Sequence, residues 1–594
     1  VLRAARSLRG TSRRRSRRPV RLGNPSRRLR AGTAVVLALF LLLGGRLVQI
    51  QAMDGTAYAA DAEQQRLREI TLAAPRGAIL DRNGAELARS VQAKAVFADP
   101  KYVHDARLTA ARLAPVIGRT AAELLPALTR RARDDGTPIR FAYLARQLDP
   151  VVESRVRALD LDGVFVLDEE RRDAPGKTLA ANVIGFTDSD GLGQAGIEAS
   201  YDAVLRGTDG SRQYEVGLTG AAIPGGYDRT QAAHPGTDVQ LTLDRDLQYQ
   251  AQKILTARMA AVSGSTGAAV VLDVKTGDVL ALASTPTYDA NEPGKSPGAD
   301  RRDIATSEIV EPGSVHKAVT LAAGLQEDAI APDTVLTVPP TITKGGATYT
   351  DTHPHGTVRM TLQGVMAQSS NVGTIEVADR LGADKLYDYQ RKFGLGTKVG
   401  VGLPGEAAGI VQPPANWSGS SHGSIPIGLG VAVTPLQMAS VYATIANDGL
   451  RVAPRLVSAV ISADGTRTEP ARPQPVRVID PDNAAALRLM MEAVATEQGT
   501  ARRAAIPGYR VAGKTGTGMR VVDGRYAPGS VSSFVGMAPA DAPRFVCAVF
   551  VIAPRGEGGP VAGPAFSDLM SATLRQYHVP PTGSPNPVIK VLAD

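Results

Sequence analysis

The chain has 594 residues, 43 % hydrophobic and 21 % charged, with a formal net charge of +9. Its single cysteine, Cys547, excludes an intrachain disulfide, so stability must come from packed cores. Twelve arginines and no acid lie within residues 1–30; taking those twelve from the +9 leaves about −3 on the remainder, so the basic character belongs to a tail.

Directly after that tail, Ala31 to Gly45 is uncharged and mainly apolar, Arg46 interrupts, and the apolar character resumes through Leu47 to Met53. Spanning a bilayer takes about 20 residues, so both halves are needed, with Arg46 snorkelling or facing a partner helix. A cleavable signal peptide fits the short apolar core but finds no convincing small-x-small cleavage site. A nucleic-acid-binding arm explains the arginines and leaves the apolar run idle. The positive-inside rule explains both features, which predicts a cytoplasmic basic tail (1–30), a transmembrane signal anchor (31–53) embedded in the lipid bilayer and an extracytoplasmic remainder, with no nucleic acid as partner.

Residues 54–235 form a charged module with little long apolar periodicity, read as β-rich and extended. Within it Arg76, Asp81, Arg82 and Glu198 are a charged set suited to structural ion pairs. From 236 to 579 the pattern is α+β, and a segment of that length can bury a sizeable core. Val270–Val274 and Asp278–Ala283 flank Lys275-Thr-Gly277, which predicts a β-hairpin. Thr434-Pro435 to Gly449 has helix grammar: Thr as N-cap, Pro in the first turn, Gly past the end. Phe545–Ile552 reads as a strand with Cys547 buried as a small apolar residue. Residues 580–594 are rich in Pro and Gly and are expected to be flexible.

Three motifs in this stretch carry chemistry. Ser314-Val-His-Lys317 precedes an apolar run and is expected to open a helix, placing Lys317 near the face of Ser314. A serine becomes a nucleophile when a neighbouring base takes its proton, and a lysine is such a base only if desolvation or a second cation, here Lys514, disfavours its ammonium. Ser369-Ser-Asn371 supplies a hydroxyl and an amide able to relay a proton and hold a carbonyl. Lys514-Thr515-Gly516-Thr517, on a predicted strand, offers charge, room and hydroxyls to an extended peptide with a carboxylate, while the N–H groups of Ser314 and Thr517 suit an oxyanion hole. Alone, each motif is also an ordinary helix cap or strand, and decoys exist in Lys275-Thr-Gly277 and Ser584-Pro-Asn586. Their order tells them apart, with 55 residues from Ser314 to Ser369 and 145 from Ser369 to Lys514. His353-Pro-His355 has no accompanying ligand cluster, so neither a metal nor a cofactor is expected.

In that order and spacing the three motifs resemble the penicillin-recognising serine acyltransferases. Thr242-Leu-Asp244, Thr285-Pro-Thr-Tyr-Asp289, Val433-Thr-Pro-Leu-Gln437 and Ala446-Asn-Asp-Gly449 agree with a penicillin-binding transpeptidase domain. Upstream, Pro75-Arg-Gly-Ala-Ile-Leu-Asp81-Arg-Asn-Gly84 and Gly193-Gln-Ala-Gly196-Ile-Glu198, with Tyr201-Asp202 and Leu205-Arg-Gly207, are similar to the pedestal of class B penicillin-binding proteins, most like the cell-division branch.

The resemblance implies an α+β serine-transpeptidase fold, an antiparallel sheet with helices, preceded by an extended β-rich pedestal (dimerisation-like, 54–235) and one N-terminal transmembrane helix. It implies a peptidoglycan D,D-transpeptidase over 236–579, with Ser314 as nucleophile, Lys317 as base, Ser369 as proton relay and Asn371 orienting the peptide. Lys514, Thr515, Gly516 and Thr517 then form the carboxylate-binding strand. Peptidoglycan stem peptides are the implied substrates, β-lactam antibiotics the implied inhibitors, and a membrane glycosyltransferase and other division proteins the implied partners. No glycosyltransferase signature precedes the acyltransferase part. His316, Gly518 and the stretch Arg172-Asp-Ala-Pro175 depart from the family's usual residues without removing a reacting atom. A β-lactamase or β-lactam sensor would share the three motifs without needing an anchor or pedestal; a non-catalytic division scaffold would keep the anchor and lose site residues.

Overall fold

In the computed structural model the described residues are 25–53, 66–217, 222–522 and 525–593; of the expected basic tail, 1–30, residues 1–24 lie outside them. Pro25 starts helix α1 (Pro25–Val48), 24 residues followed by one π turn, Gln49–Met53. At ~1.5 Å per residue α1 is roughly 36 Å long, enough for a hydrocarbon layer of about 30 Å. Its Leu, Val and Phe side chains are exposed, and by length and composition the helix is apolar enough to cross a membrane.

The chain divides by contact into two units, 1–70 with 212–230 and 71–211 with 231–594. The first contains α1 and the ion pairs Arg66–Glu215 at 3.5 Å and Arg212–Asp228 at 2.6 Å. The second begins with strands β1 (Ile79–Leu80), β2 (Glu86–Ala98), β3 (Ala142–Leu148) and β4 (Val164–Asp173). The stretch read as β-rich holds these strands and also helices the sequence reading passed over, α2 (Ala106–Ile117) and α3 (Ala121–Thr129). Asp105 caps α2, and Thr120 with Glu123 forms a capping box on α3. Leu113, Ile117, Leu124 and Leu128 bury against Val96, Leu144 and Val156, giving this head a small core of its own.

The charged set resolves into two kinds of contact. Arg76 pairs with Glu198 at 2.6 Å and Asp202 at 2.7 Å, and Arg172 reaches the other oxygen of Glu198 at 2.6 Å. Asp81 and Arg82, expected among the ion pairs, have other work. Asp81 accepts the N–H groups of Asn83, Ala85 and Arg245, tying a turn to a helix start, and Arg82 donates to the Tyr577 hydroxyl.

From 238 onward the core is built on a five-stranded antiparallel sheet. It comprises β6 (Thr266–Asp273), β7 (Val279–Thr285), β11 (Ala512–Val522), β12 (Arg525–Ala538) and β13 (Phe545–Ala553), in the order β7-β6-β13-β12-β11. The predicted hairpin at Lys275-Thr-Gly277 joins β6 and β7. All nine residues of β13 are buried, Cys547 included, because helices cover both faces of the sheet centre. Burying each of its large side chains contributes about 1.5–3 kcal/mol. Helix α4 (Arg245–Val262), α8 (Pro435–Ala446, with the predicted Thr434 cap completed by Gln437) and α9 (Gly558–Gln576) supply those layers. Strands β5 (Asp238–Leu241) and β10 (Val457–Ile461) continue a second sheet onto β1 and β2, so pedestal and catalytic part share backbone hydrogen bonds.

Within the segment 580–594, expected to be flexible, one short stretch makes backbone hydrogen bonds to the catalytic part. Residues 590–593 bond to β9 (Val358–Thr361), the antiparallel partner of β8 (Val335–Val338): Thr361 N–H to Val591 O at 3.1 Å, and Ala593 N–H to Arg359 O at 3.0 Å. A side chain on Gly364 would place its Cβ 2.0 Å from the Val591 carbonyl oxygen, so only glycine admits this approach. Proline and glycine content reports the lack of regular structure and says nothing about docking through backbone groups.

Candidate active site

Ser314 lies in a single 3-10 turn, Gly313–His316, that runs into helix α5 (Lys317–Gln326). Gly313 has φ +57°, and a Cβ there would stand 2.3 Å from the Thr517 carbonyl oxygen. The turn can therefore approach β11 closely only because no side chain intervenes. Tyr442 on α8 donates to the Val315 carbonyl at 2.9 Å and Thr320 to Pro426 at 2.7 Å, fixing the turn from behind. Ser314 is half-buried while Gly313, Val315, His316 and Lys317 are buried, so the hydroxyl is what this turn shows to the cleft.

Helix α6 (Leu362–Ala367) ends at Gln368, and Ser369 takes the left-handed conformation at φ +57°, uncommon for a serine and a local strain. Ser370 then caps helix α7 (Asn371–Leu381). This abrupt reversal turns both Ser369 and Asn371 toward Lys317. The Lys317 amine donates to the Ser369 carbonyl at 2.5 Å and to Asn371 Oδ1 at 2.7 Å, with the Ser369 hydroxyl at 3.3 Å. The first two motifs are thus joined through one buried amine.

Burial pushes the Lys317 amine down to about 7, opposed by the carboxylate of Asp351. Lys514 on β11 is also fully buried and lies well below the usual lysine range, through burial first and the neighbouring Lys317 second. The expectation that Lys514 depresses Lys317 is therefore recast: desolvation is the leading cause for both amines. His316, also buried, is pushed down to about 4 by desolvation and meets Gln390 at 3.0 Å, behind the site.

Lys514 donates to the Thr515 carbonyl and hydroxyl at 3.3 and 3.2 Å, beneath the cleft floor. The surface above is made by Thr515 and Thr517. Thr500 meets Thr515 hydroxyl to hydroxyl at 2.8 Å, and Gly558 N–H donates to the Thr517 hydroxyl at 3.4 Å. Gly516 faces Pro312 O and the Ser533 hydroxyl, where a Cβ would stand 2.6 and 2.3 Å away. Ser314, Ser369, Asn371, Thr515 and Thr517 line one cleft of about 250 Å³ together with Thr352, His353 and Thr500. A larger groove of about 600 Å³ at Pro126–Ala142 has arginines and no nucleophile with a base, so chemistry and not size selects the site.

Sequence reasoning missed Asp351. Its Oδ1 accepts the N–H groups of Asn371 at 2.6 Å and Val372 at 2.9 Å, while Oδ2 lies 3.0 Å from His355 Nε2. The Gly356 carbonyl first and the Asp351 carboxylate second raise His355 above the usual histidine range. Asp351 stands 20 residues before Asn371, between the two histidines weighed for a metal and the strand before them, with no motif to flag it. Thr500 and Gly558 were missed for the same reason. The decoys fall elsewhere: Lys275 bonds to Asn447 at 3.0 Å, and Ser584 lies in the exposed carboxyl-terminal segment.

Comparison with known proteins places this geometry. Residues 267–571 match the penicillin binding protein transpeptidase domain and residues 71–241 the penicillin-binding protein dimerisation domain. The chain is 38 % identical to penicillin-binding protein PbpB of Mycolicibacterium smegmatis, over 95 % of this chain and 93 % of that one. It is 34 % identical to the peptidoglycan D,D-transpeptidase FtsI of Escherichia coli, over 92 % and 91 %. Among solved structures, penicillin binding protein 3 of Mycobacterium tuberculosis complexed with aztreonam superposes with a TM-score of 0.69 at 34 % identity, covering 88 % of this chain and all of that one.

Proposed function

The chain belongs to the class B penicillin-binding proteins of the FtsI type, and from that premise we propose that it is a serine D,D-transpeptidase that cross-links peptidoglycan stem peptides during septal wall synthesis. One observation carries the chemistry: a buried amine near neutrality, Lys317, three residues from a cleft-facing serine and bonded to both polar groups of the second motif. Neutral Lys317 takes the Ser314 proton as Oγ attacks the carbonyl of the penultimate D-alanine. The tetrahedral oxyanion is held by the N–H groups of Ser314 and Thr517. The proton passes by way of Ser369 to the leaving D-alanine amine. An amine of a second strand then attacks the acyl-enzyme, gives up its proton to the same base, and leaves a peptide cross-link with Ser314 restored.

Asn371 orients the peptide, and Thr515 and Thr517 hydrogen-bond its terminal carboxylate, with Gly516 giving the strand room. Lys514 acts from under the floor through Thr515. β-Lactams acylate Ser314 by the same first step. Helix α1 anchors the protein in the membrane, its basic tail in the cytoplasm and residues from 54 onward outside, where a membrane glycosyltransferase supplies strands. We assign residues 54–235 as pedestal and 236–579 as transpeptidase domain.

A fluorescent penicillin tests the reading. Wild type is expected to label covalently and Ser314→Ala to lose labelling while remaining folded by circular dichroism. Undiminished labelling of that variant would reject the nucleophile. Slow acyl-enzyme turnover separates this reading from a β-lactamase, for which rapid loss of the label is the expected result.

A further inference from the structure

Residues 590–593 lie along β9 as a third strand, on the edge that β8 does not take. Met360 and Leu592 face each other in an antiparallel bridge. Ile589, Val591 and Ala593 are half-buried while Val588, Lys590 and Leu592 are exposed, the period of two of a strand held by one face. The contacts gather where β9 becomes α6. Thr361 gives its N–H to the Val591 carbonyl, its hydroxyl reaches the Lys590 carbonyl, and its Oγ1 accepts the Gly364 N–H at 3.0 Å as the cap of α6. Gln363, on the same first turn, accepts the Lys590 N–H at 3.1 Å. The docked stretch therefore grips a strand end, a helix cap and the first turn of that helix together.

Helix α6 is short enough to pass such a grip on. Its six residues span about 9 Å. Backbone bonds run from its first turn directly to the second motif: Gln368 N–H to Gly364 O at 2.9 Å, Ser370 N–H to Val365 O at 3.0 Å and Ser369 N–H to Met366 O at 3.3 Å. Beyond them Ser369 is held in the left-handed conformation against local strain, so its place depends on the helix that ends there. The far end of α6 is tied from outside by the Thr500 N–H, 3.2 Å from the Ala367 carbonyl. The near end is tied by residues 590–593.

We propose that residues 590–593 are positioning residues for the acylation step: docked on β9, they fix the start of α6 and thereby the place of Ser369, whose carbonyl and hydroxyl face Lys317. This rests on the transpeptidase reading and adds to it a segment more than 200 residues from Ser369 in sequence. None of the contacts named involves β11, the strand assigned to the substrate carboxylate. Undocking is therefore expected to slow proton transfer and to leave binding of the carboxylate as it was.

The test is saturation kinetics of acylation by a fluorescent penicillin on the full-length protein in detergent, which separates the binding constant from the acylation rate constant. Ala593→Pro removes the one N–H that bonds to the Arg359 carbonyl, and Gly364→Ala drives a methyl group against the Val591 carbonyl. Each is expected to lower the acylation rate constant about tenfold, as a misplacement of under an ångström allows. The binding constant should stay within about twofold of wild type, and the urea midpoint close to it, since the stretch is largely exposed. Ala593→Ser, which keeps the N–H, should restore the wild-type rate. In the double variant the two losses should not add, because both act by undocking the same strand. An unchanged rate constant in Ala593→Pro, an equal loss in Ala593→Ser, additive losses, or a rate loss matched by weaker binding and a lower urea midpoint overturns the positioning role and leaves the transpeptidase reading standing. Failure of the wild type to be acylated removes both.

Discussion

The pedestal and the catalytic cleft both bury charge, and they treat it in opposite ways. In the pedestal, Arg76, Glu198 and Arg172 lie almost out of solvent and are matched: Glu198 gives one oxygen to each arginine, and Asp202 takes the second arm of Arg76. Such a cluster offsets part of its desolvation by geometry, with Arg172 Nη2 left without a hydrogen-bond partner among the described residues, and holds segments 76, 172 and 198–202 in register. In the cleft, Lys317 and Lys514 are equally buried, yet the groups they touch are carbonyls, hydroxyls and an amide. With no carboxylate in contact among the described residues, their ammonium forms are disfavoured and the amines move toward neutrality. Matched burial makes a joint; unmatched burial leaves an amine near neutrality, which is what the proposed base requires.

Lys317→Met should break the second half of that comparison most severely. It keeps the volume and removes the proposed base, so penicillin acylation is expected to fall about a hundred- to ten-thousandfold, while the urea midpoint stays close to wild type. A large loss of stability with acylation retained would show Lys317 to be a structural residue. Glu198→Ala is the converse. Two arginines lose their shared partner, and destabilisation by about 3–5 kcal/mol is expected, read from urea unfolding, with the acylation rate of the remaining folded protein near normal. A stability change within a few tenths of a kcal/mol would mean that the cluster contributes nothing as a joint.

The third test is the pH profile. The Lys317 pKa is depressed, so the neutral, reactive amine is scarce below about 7 and dominant above it. The second-order acylation rate should rise with pH, reach about a tenth of its plateau at pH 6, and level off above pH 8. In Lys514→Ala the midpoint should move little, because burial leads the depression of Lys317, while the plateau falls as carboxylate recognition weakens. A midpoint near the free-lysine value in wild type would remove Lys317 as the base. The smallest effect belongs to the decoy. Lys275→Ala, on an exposed turn, should change stability by no more than about 0.5 kcal/mol and leave labelling intact.

What could be read in advance divides along the same physical line. Ser314, Lys317, Ser369, Asn371 and Lys514 are legible because each motif is a local pattern, and their shared order outweighs the decoys. Hairpin 266–285 and helix 435–446 are legible because turn and cap residues act within a few positions. Asp351 and Thr500 are not, since they enter the site through tertiary folding and their neighbours in sequence give no periodic or motif signal. Helices α2 and α3 did carry a signal in Asp105 and in Thr120-Ala-Ala-Glu123, overlooked amid the charged residues around it. Arg172, weighed only as part of a departure from the family's residues, proves to be the second arm on Glu198, a partnership fixed by strand pairing between β2 and β4.

The docked carboxyl-terminal segment has a practical side. Residues 590–593 lie on β9, and from β9 a single six-residue helix, α6, leads to Ser369. A purification handle or fluorescent fusion joined to that end pulls on the strand from which the second motif hangs. A reporter placed there for imaging will perturb the enzyme it is meant to follow, and handles belong at the amino-terminal side of α1.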